Sequence, residues 1–220
     1  MRGERSPNSI KNEQSARGAG AWGPVSGDRE MVPMQLPDRA GPWTLDDVLA
    51  LGEDTSHRVE MVGGALLLTP RPGVAHQRAV RRLANLLDAA AGGDVEVLAA
   101  VNVNLGGRAL VVPDVAVVRA AAATGDRLCA DAGDVVLAVE VTTPDTAVTD
   151  RFTRPALYAE AGIAHHWRLD LEPGPHLWIG ALEGGAYTTV ARVPGGRTTR
   201  IPAPLSVQLD PAGLTAPPAR

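Results

Sequence analysis

The stretch that most constrains the fold is the run Asp134-Val-Val-Leu-Ala-Val-Glu-Val-Thr-Thr-Pro144, almost wholly apolar, rich in β-branched residues and stopped by a proline. Such a run reads as a strand buried on both faces at the centre of a sheet. Glu140 sits inside it. An earlier run, Ala-Leu-Val-Val-Pro-Asp-Val-Ala-Val-Val from Ala109 to Val118, holds Asp114 in the same way. A carboxylate in the heart of a β-type run is costly to desolvate unless a cation or hydrogen-bond donors meet it. Two of them in successive strands point to one shared site, and their hard oxygen donors suit a divalent metal.

The flanking pattern supplies the rest of an α/β domain. Thr44 caps a short helix, with Asp47 three residues on in an imperfect capping box. His57–Pro70 reads as a hairpin turning at Gly63-Gly64, with Glu60 on its first strand. From His76 the spacing predicts an amphipathic helix with Val80, Leu83, Leu86 and Leu87 on one face, ended by Gly92-Gly93. Three strands follow: Val95–Leu105, Ala109–Val118 and the central run around Glu140. Residues 145–162 read as a lead-in and a helix, with Pro155 in its first turn and Gly162 at its end. Ile163–Asp170 is another strand, and His176–Val193 a hairpin turning at Glu183-Gly184-Gly185. The predicted fold is a mixed central β-sheet flanked by helices, with additional hairpins near both ends. Residues 1–35 read as a flexible N-terminal tail, 36–210 as the domain and 211–220 as a flexible, Pro-rich C-terminal tail.

Several function classes are excluded or disfavoured. A net charge of -4 and no long basic cluster argue against a protein that coats nucleic acid, while transient contact with a backbone stays open. The single cysteine, Cys129, rules out an intrachain disulfide and any thiolate-rich zinc or iron-sulfur site. The absence of a signal-peptide pattern and of a long uncharged apolar stretch leads to the expectation of a cytoplasmic protein without a membrane span. The adjacent His165 and His166 lie on a strand, where neighbours face opposite sides and cannot readily chelate one ion. No Walker loop, HExxH helix or nucleophile elbow is present.

The segments WTLDDVLAL, HRVEMVGGALLLTPRPGVAHQRAVRRL, VVPDVAVV, VVLAVEVTTPDT and DRFTRPALYAEAGIAHHWRLD together resemble the Uma2 family of restriction-endonuclease-like proteins. The likeness runs from about Trp43 to Leu209. It implies a PD-(D/E)xK nuclease type of fold, DNA as a transiently contacted partner, and a homodimer by analogy with nucleases that act on two strands. Asp114 matches the aspartate of the family's PD motif, Glu140 the glutamate of its EV motif and Glu60 the glutamate of its hairpin. His76 matches a histidine common at the start of the first long helix, and Thr143 and Asp145 occupy a Ser/Thr-rich turn. The family's usual lysine before the LYA segment is replaced here by Arg154.

The expected chemistry is hydrolysis of a phosphodiester with Mg²⁺ or Mn²⁺. Asp114, Glu140 and the backbone carbonyl of Val141 are the expected metal ligands, with Glu60 assisting. Arg154 keeps the charge of a lysine but is larger, planar and unable to lose its proton, which puts catalysis in question. Other readings stay open for each residue. Asp114 after Pro113 can mark a turn or bulge, and Glu140 can pair with Arg154 without a metal. Glu60 can face solvent, and His76 can simply cap its helix. At the level of function the alternatives are an inactive nuclease fold serving as a nucleic-acid or protein binding module, or a hydrolase of another phosphoester or nucleotide.

Overall fold

A computed structural model describes residues 36–38, 40–51 and 57–217. The expected N-terminal tail therefore lies outside the described residues. In chain order the elements are α1 (Leu45–Leu49), β1 (His57–Val62), β2 (Ala65–Pro70), α2 (Val74–Ala90), β3 (Val95–Ala99), β4 (Val103–Gly106), β5 (Ala109–Val111) and β6 (Val115–Arg119). They continue with β7 (Ala130–Asp131), β8 (Val135–Thr142), a π-helical turn (Thr149–Thr153) that runs into α3 (Arg154–Glu160), β9 (His165–Asp170), β10 (His176–Glu183) and β11 (Ala186–Pro194). The last are β12 (Thr199–Ile201), β13 (Val207–Leu209) and α4 (Pro211–Thr215).

The central sheet has six strands in the order β11-β10-β9-β8-β6-β3. Only β8 and β9 run parallel, as a crossover through α3 requires, so the sheet is mixed. One face packs on α2 through Ala79, Val80, Leu83 and Leu87 and on Ile201, Val207, Leu209 and Leu214 from the C-terminal elements. The other face meets α3 through Tyr158, with Ile163 beyond it. A second sheet, β2-β1-β5-β4-β7, carries the N-terminal hairpin and its own apolar cluster with α1.

Two expected strands are each broken in the structure, and the breaks place the site. The stretch Val95–Leu105 divides at Ala100, whose φ of 53° lies in the left-handed region that a β-strand does not use. The stretch Ala109–Val118 divides at Val112–Asp114, where Pro113 has no N–H to give to a ladder. The halves then partner consistently: β3 with β6 in the central sheet, β4 with β5 in the second. Ala100 N–H donates to the Asp114 carbonyl at 3.2 Å and ties the two corners together. Asp114 thus stands where the chain passes from one sheet to the other.

Two smaller expectations change. Leu86 is 36% exposed, and the buried face of α2 is completed by Ala79 and His76 instead. Residues 211–217 are not a loose tail: Asp210 caps α4 by accepting from Ala212 N–H at 2.9 Å, Pro211 occupies the first turn, and Leu214 joins the main core. A Pro-rich composition hid this short helix because proline at a first helical position is compatible with helix, not opposed to it.

Candidate active site

Several elements converge on one small cavity of about 140 Å³. On β1 the two-residue period puts Arg58 and Glu60 on one face and Val59 and Met61 on the other, toward the α1 cluster. The Gly63-Gly64 turn, both residues with φ near 60–80°, closes that hairpin. β8 alternates in the same manner: Leu137, Val139 and Val141 enter the α2 core, and Glu140 faces α3. The π-helical turn and α3 supply Asp150, Arg154 and Tyr158, spaced four apart so that they share a helix face. α2 supplies His76 from its first turn.

Four carboxyls here are enclosed: Glu60 is 1% exposed, Asp114 3%, Glu140 1% and Asp150 5%. Asp114 Oδ1 accepts from Arg58 Nη2 at 2.7 Å, and Oδ2 accepts from Val141 N–H at 2.8 Å and faces His76 Nε2 at 3.0 Å. A carboxylate can only accept, so Nε2 of His76 carries the hydrogen. Burial pushes Asp114 upward, but the His76 hydrogen bond and the Arg58 charge outweigh it, and the group ionises below the ordinary aspartate range. Glu60 Oε1 accepts from Val112 N–H at 2.6 Å, and Arg154 Nη2 reaches both Glu60 oxygens at 2.7 and 2.6 Å.

Glu140 is held differently. Tyr158 donates its hydroxyl to Glu140 Oε1, and Arg154 Nε stands 3.8 Å from the same oxygen. Burial raises this carboxyl from the usual 4.5 to about 8; Arg154 opposes the rise, and the charges of Asp114 and Asp150 add to it. Burial also raises Asp150, against the hydrogen bond it accepts from Thr146 Oγ1 at 2.6 Å. Arg154 stays firmly charged, because Glu140, Tyr158 and Glu60 outweigh the cost of its burial. Its Nε and Nη1 have no hydrogen-bond partner although both are buried.

The structure therefore gathers Glu60, Asp114, Glu140, Arg154 and His76 around one cavity, which Val141, Asp145 and Thr146 also line. Val141 presents its amide to Asp114 while its side chain enters the core on the opposite face. Glu60 is buried, not solvent-facing, and His165 and His166 stand apart from the site. His166 is a core residue among the rings of Tyr158, Trp178 and Tyr187, and burial lowers its pKa to about 4. Sequence reasoning did not place Arg58, Tyr158 or Asp150 in the site. Their signals were present: Arg58 is two residues from Glu60 on a strand, and Asp150, Arg154 and Tyr158 repeat at helical spacing. Trp167 lies on the other face of the sheet, in the α2 core.

The model of the family described as "Uma2: Putative restriction endonuclease" matches residues 45–215. The chain belongs to the Uma2 family. Its fold is also that of a crystal structure at 1.96 Å of a "putative nuclease belonging to DUF820" from Anabaena variabilis ATCC 29413, with a TM-score of 0.59 and 16% identity over 74% of this chain and 90% of that one. The sequence matches no curated protein. The Uma2 match ends at residue 215, the last of α4, and so takes in the whole of that helix.

The donor set can be tested against a divalent ion on its own chemistry. Glu60, Asp114, Glu140 and Asp150 face Arg58 and Arg154 across the cavity, and the charges of Asp114 and Asp150 add to the rise that burial gives Glu140, to about 8. A hard divalent cation beside Asp114 and Glu140 would oppose that rise, so the oxygen donors fit. No group of three or more His, Cys, Asp or Glu side chains is already gathered as a metal cage among the described residues. The fit rests on two carboxylates, with arginines occupying the space beside them. No helix among the described residues is long and apolar enough to cross a membrane.

Proposed function

We propose that this protein is a metal-dependent endonuclease that hydrolyses phosphodiester bonds in DNA. The observation that carries the reading is the convergence of Asp114 and Glu140 on one cavity into which Arg154, buried and charged, brings two guanidinium donors, Nε and Nη1, that no protein group accepts a hydrogen bond from. Unsatisfied buried donors are rare, and a phosphate oxygen is the natural acceptor for a guanidinium. Asp114 and Glu140 would hold Mg²⁺ or Mn²⁺, with the Val141 backbone beside them. Bound there, the ion would neutralise charge on the phosphate and make water more acidic.

The residues of the chain divide the remaining work. Arg58, His76 and the Val141 amide fix the Asp114 carboxylate in one orientation. Tyr158 fixes Glu140, and Val112 N–H with Arg154 Nη2 fixes Glu60. Arg154 meets the scissile phosphate through Nε and Nη1 while Nη2 stays on Glu60. It cannot act as a general base, since its proton is not released near neutral pH.

The same ion pairs support a second reading, a catalytically inactive nuclease fold that binds nucleic acid or protein. Arg154 on Glu60 and Arg58 on Asp114 already answer part of the acidic charge without a metal. Cleavage of supercoiled plasmid and single-stranded DNA with Mg²⁺ or Mn²⁺, beside Glu140→Ala and Arg154→Lys, separates the two. Cutting by the wild type that is lost in Glu140→Ala supports the endonuclease. Silence of the wild type with cutting by Arg154→Lys marks a nuclease switched off at one position, and silence of both leaves the binding module.

A further inference from the structure

Among the described residues, the four edges of the two larger sheets are not protected alike. β7 is only two residues long, β3 carries Glu96, and β11 carries Arg192 and pairs with β10 through a bulge. Short length, charge and bulges are the usual ways of keeping an edge from pairing with another chain. β2, at the edge of the second sheet among the described residues, has none of them: Ala65-Leu-Leu-Leu-Thr-Pro70 holds no charge and pairs with β1 without a break. Leu67 and Leu68 are 41% and 40% exposed.

The free hydrogen-bonding groups of β2 follow from its register. In a two-residue hairpin the closing pair, here Val62 and Ala65, exchanges backbone hydrogen bonds, and so does every second pair beyond it. Ala65, Leu67 and Thr69 therefore turn their N–H and C=O toward β1. Met61, which lies between such pairs, accordingly partners Leu110 of β5 on the opposite side of β1. Leu66 and Leu68 turn theirs to the open edge. Pro70 has no N–H and ends the usable stretch.

We propose that β2 is a homodimer interface at which a second copy of this chain adds its own β2 antiparallel, about a twofold axis through Leu67. This register sets Leu66 opposite Leu68 of the partner copy and Leu68 opposite Leu66, so that all the free N–H and C=O groups of these residues pair. It brings the two Leu67 side chains together on one face, and leucines cover the other. The two five-stranded sheets become one continuous sheet. Leu67 lines the active-site cavity, so both cavities lie on the same face of the joined sheet and the partner's leucine adjoins each site. The proposal does not depend on the endonuclease reading and fails or stands separately from it.

Sedimentation velocity on the full chain over a concentration series, with a cysteine cross-linking arm, tests it. Wild type is expected to dimerise, and Leu68→Lys to shift to monomer. In a Cys129→Ser background Leu67→Cys is expected to form a disulfide dimer, since facing residues of a non-hydrogen-bonded antiparallel pair stand about 4.5 Å apart at Cα, within disulfide range. Val190→Cys, on the exposed part of β11, is expected to stay unlinked. A wild type that is monomeric at every concentration overturns the proposal. So does a dimer that survives Leu68→Lys and cross-links through Val190→Cys and not through Leu67→Cys.

Discussion

The two faces of the central sheet are built from the same strands by opposite rules. Toward α2, β8 contributes Leu137, Val139 and Val141 and β9 contributes Trp167 and Leu169, all fully or nearly fully buried. Toward α3 the same strands contribute Ala138 and Glu140, then His166, Arg168 and Asp170, with buried acids answered by arginines and hydroxyls. The first face gains stability from apolar area. The second gives some of it up, because each buried charge loses hydration and recovers it only through a placed partner. A fold can carry a charged, largely buried site on one face when the other face supplies the packing.

The largest expected effect breaks the apolar face. Trp167→Ala is expected to lower unfolding free energy by about 3–5 kcal/mol, the range for large-to-small aromatic changes in a core, as read by chemical denaturation. Arg154→Ala attacks the charged face and strands Glu60 and Glu140 without their cation. It is expected to cost about 3–4 kcal/mol. The same substitution combined with Glu60→Gln and Glu140→Gln is expected to recover most of that loss. If the triple variant is as unstable as Arg154→Ala, the pairing account of this face is wrong.

A pH titration of metal-free protein sharpens the contrast further. Glu140 ionises near 4.5 in an unfolded chain and near 8 in the folded one, so the folded state holds the proton more tightly. Its contribution to stability is full below about 4.5, falls as pH rises to about 8, and stays low above. Glu140→Gln is expected to flatten that slope in thermal unfolding scans, whereas Leu137→Ala is expected to shift the curve down without changing its slope. Added Mg²⁺ or Mn²⁺ is expected to raise Tm more near pH 8 than in mild acid if Asp114 and Glu140 hold the ion.

Tyr158→Phe should give the smallest effect. It removes one hydrogen bond to Glu140 while keeping the ring in its packing, and the expected loss is about 1 kcal/mol in denaturant unfolding. Because the hydroxyl steadies the charged form, the pH window of the slope assigned to Glu140 is expected to extend to higher pH in this variant, with the steepness unchanged.

Much of this was legible in the residues. Thr44 forms the capping box with Asp47, the Gly63-Gly64 hairpin has its two-residue turn, and the run around Glu140 is a central strand. Each of these is set by neighbours within a few positions, so a short window contains the cause. The break at Pro113 stood among the open readings of the sequence, but the break at Ala100 was not legible, nor was the sheet that each half joins, because that depends on partners far along the chain. Asp114 could be singled out as a buried acid, but its place at the corner between two sheets could not.

By itself the sequence determined the α/β class, the alternation that turns Glu140 away from its apolar neighbours, and the presence of Asp114, Glu140 and Arg154 as charges that need partners. Only the tertiary structure decided the pairing: Arg58 with Asp114, Arg154 with Glu60, Tyr158 with Glu140. Local periodicity sets the face on which a side chain lies. Which ion pair forms in the cavity depends on distances of a few ångströms between elements, and those are settled by how the sheets and α3 pack.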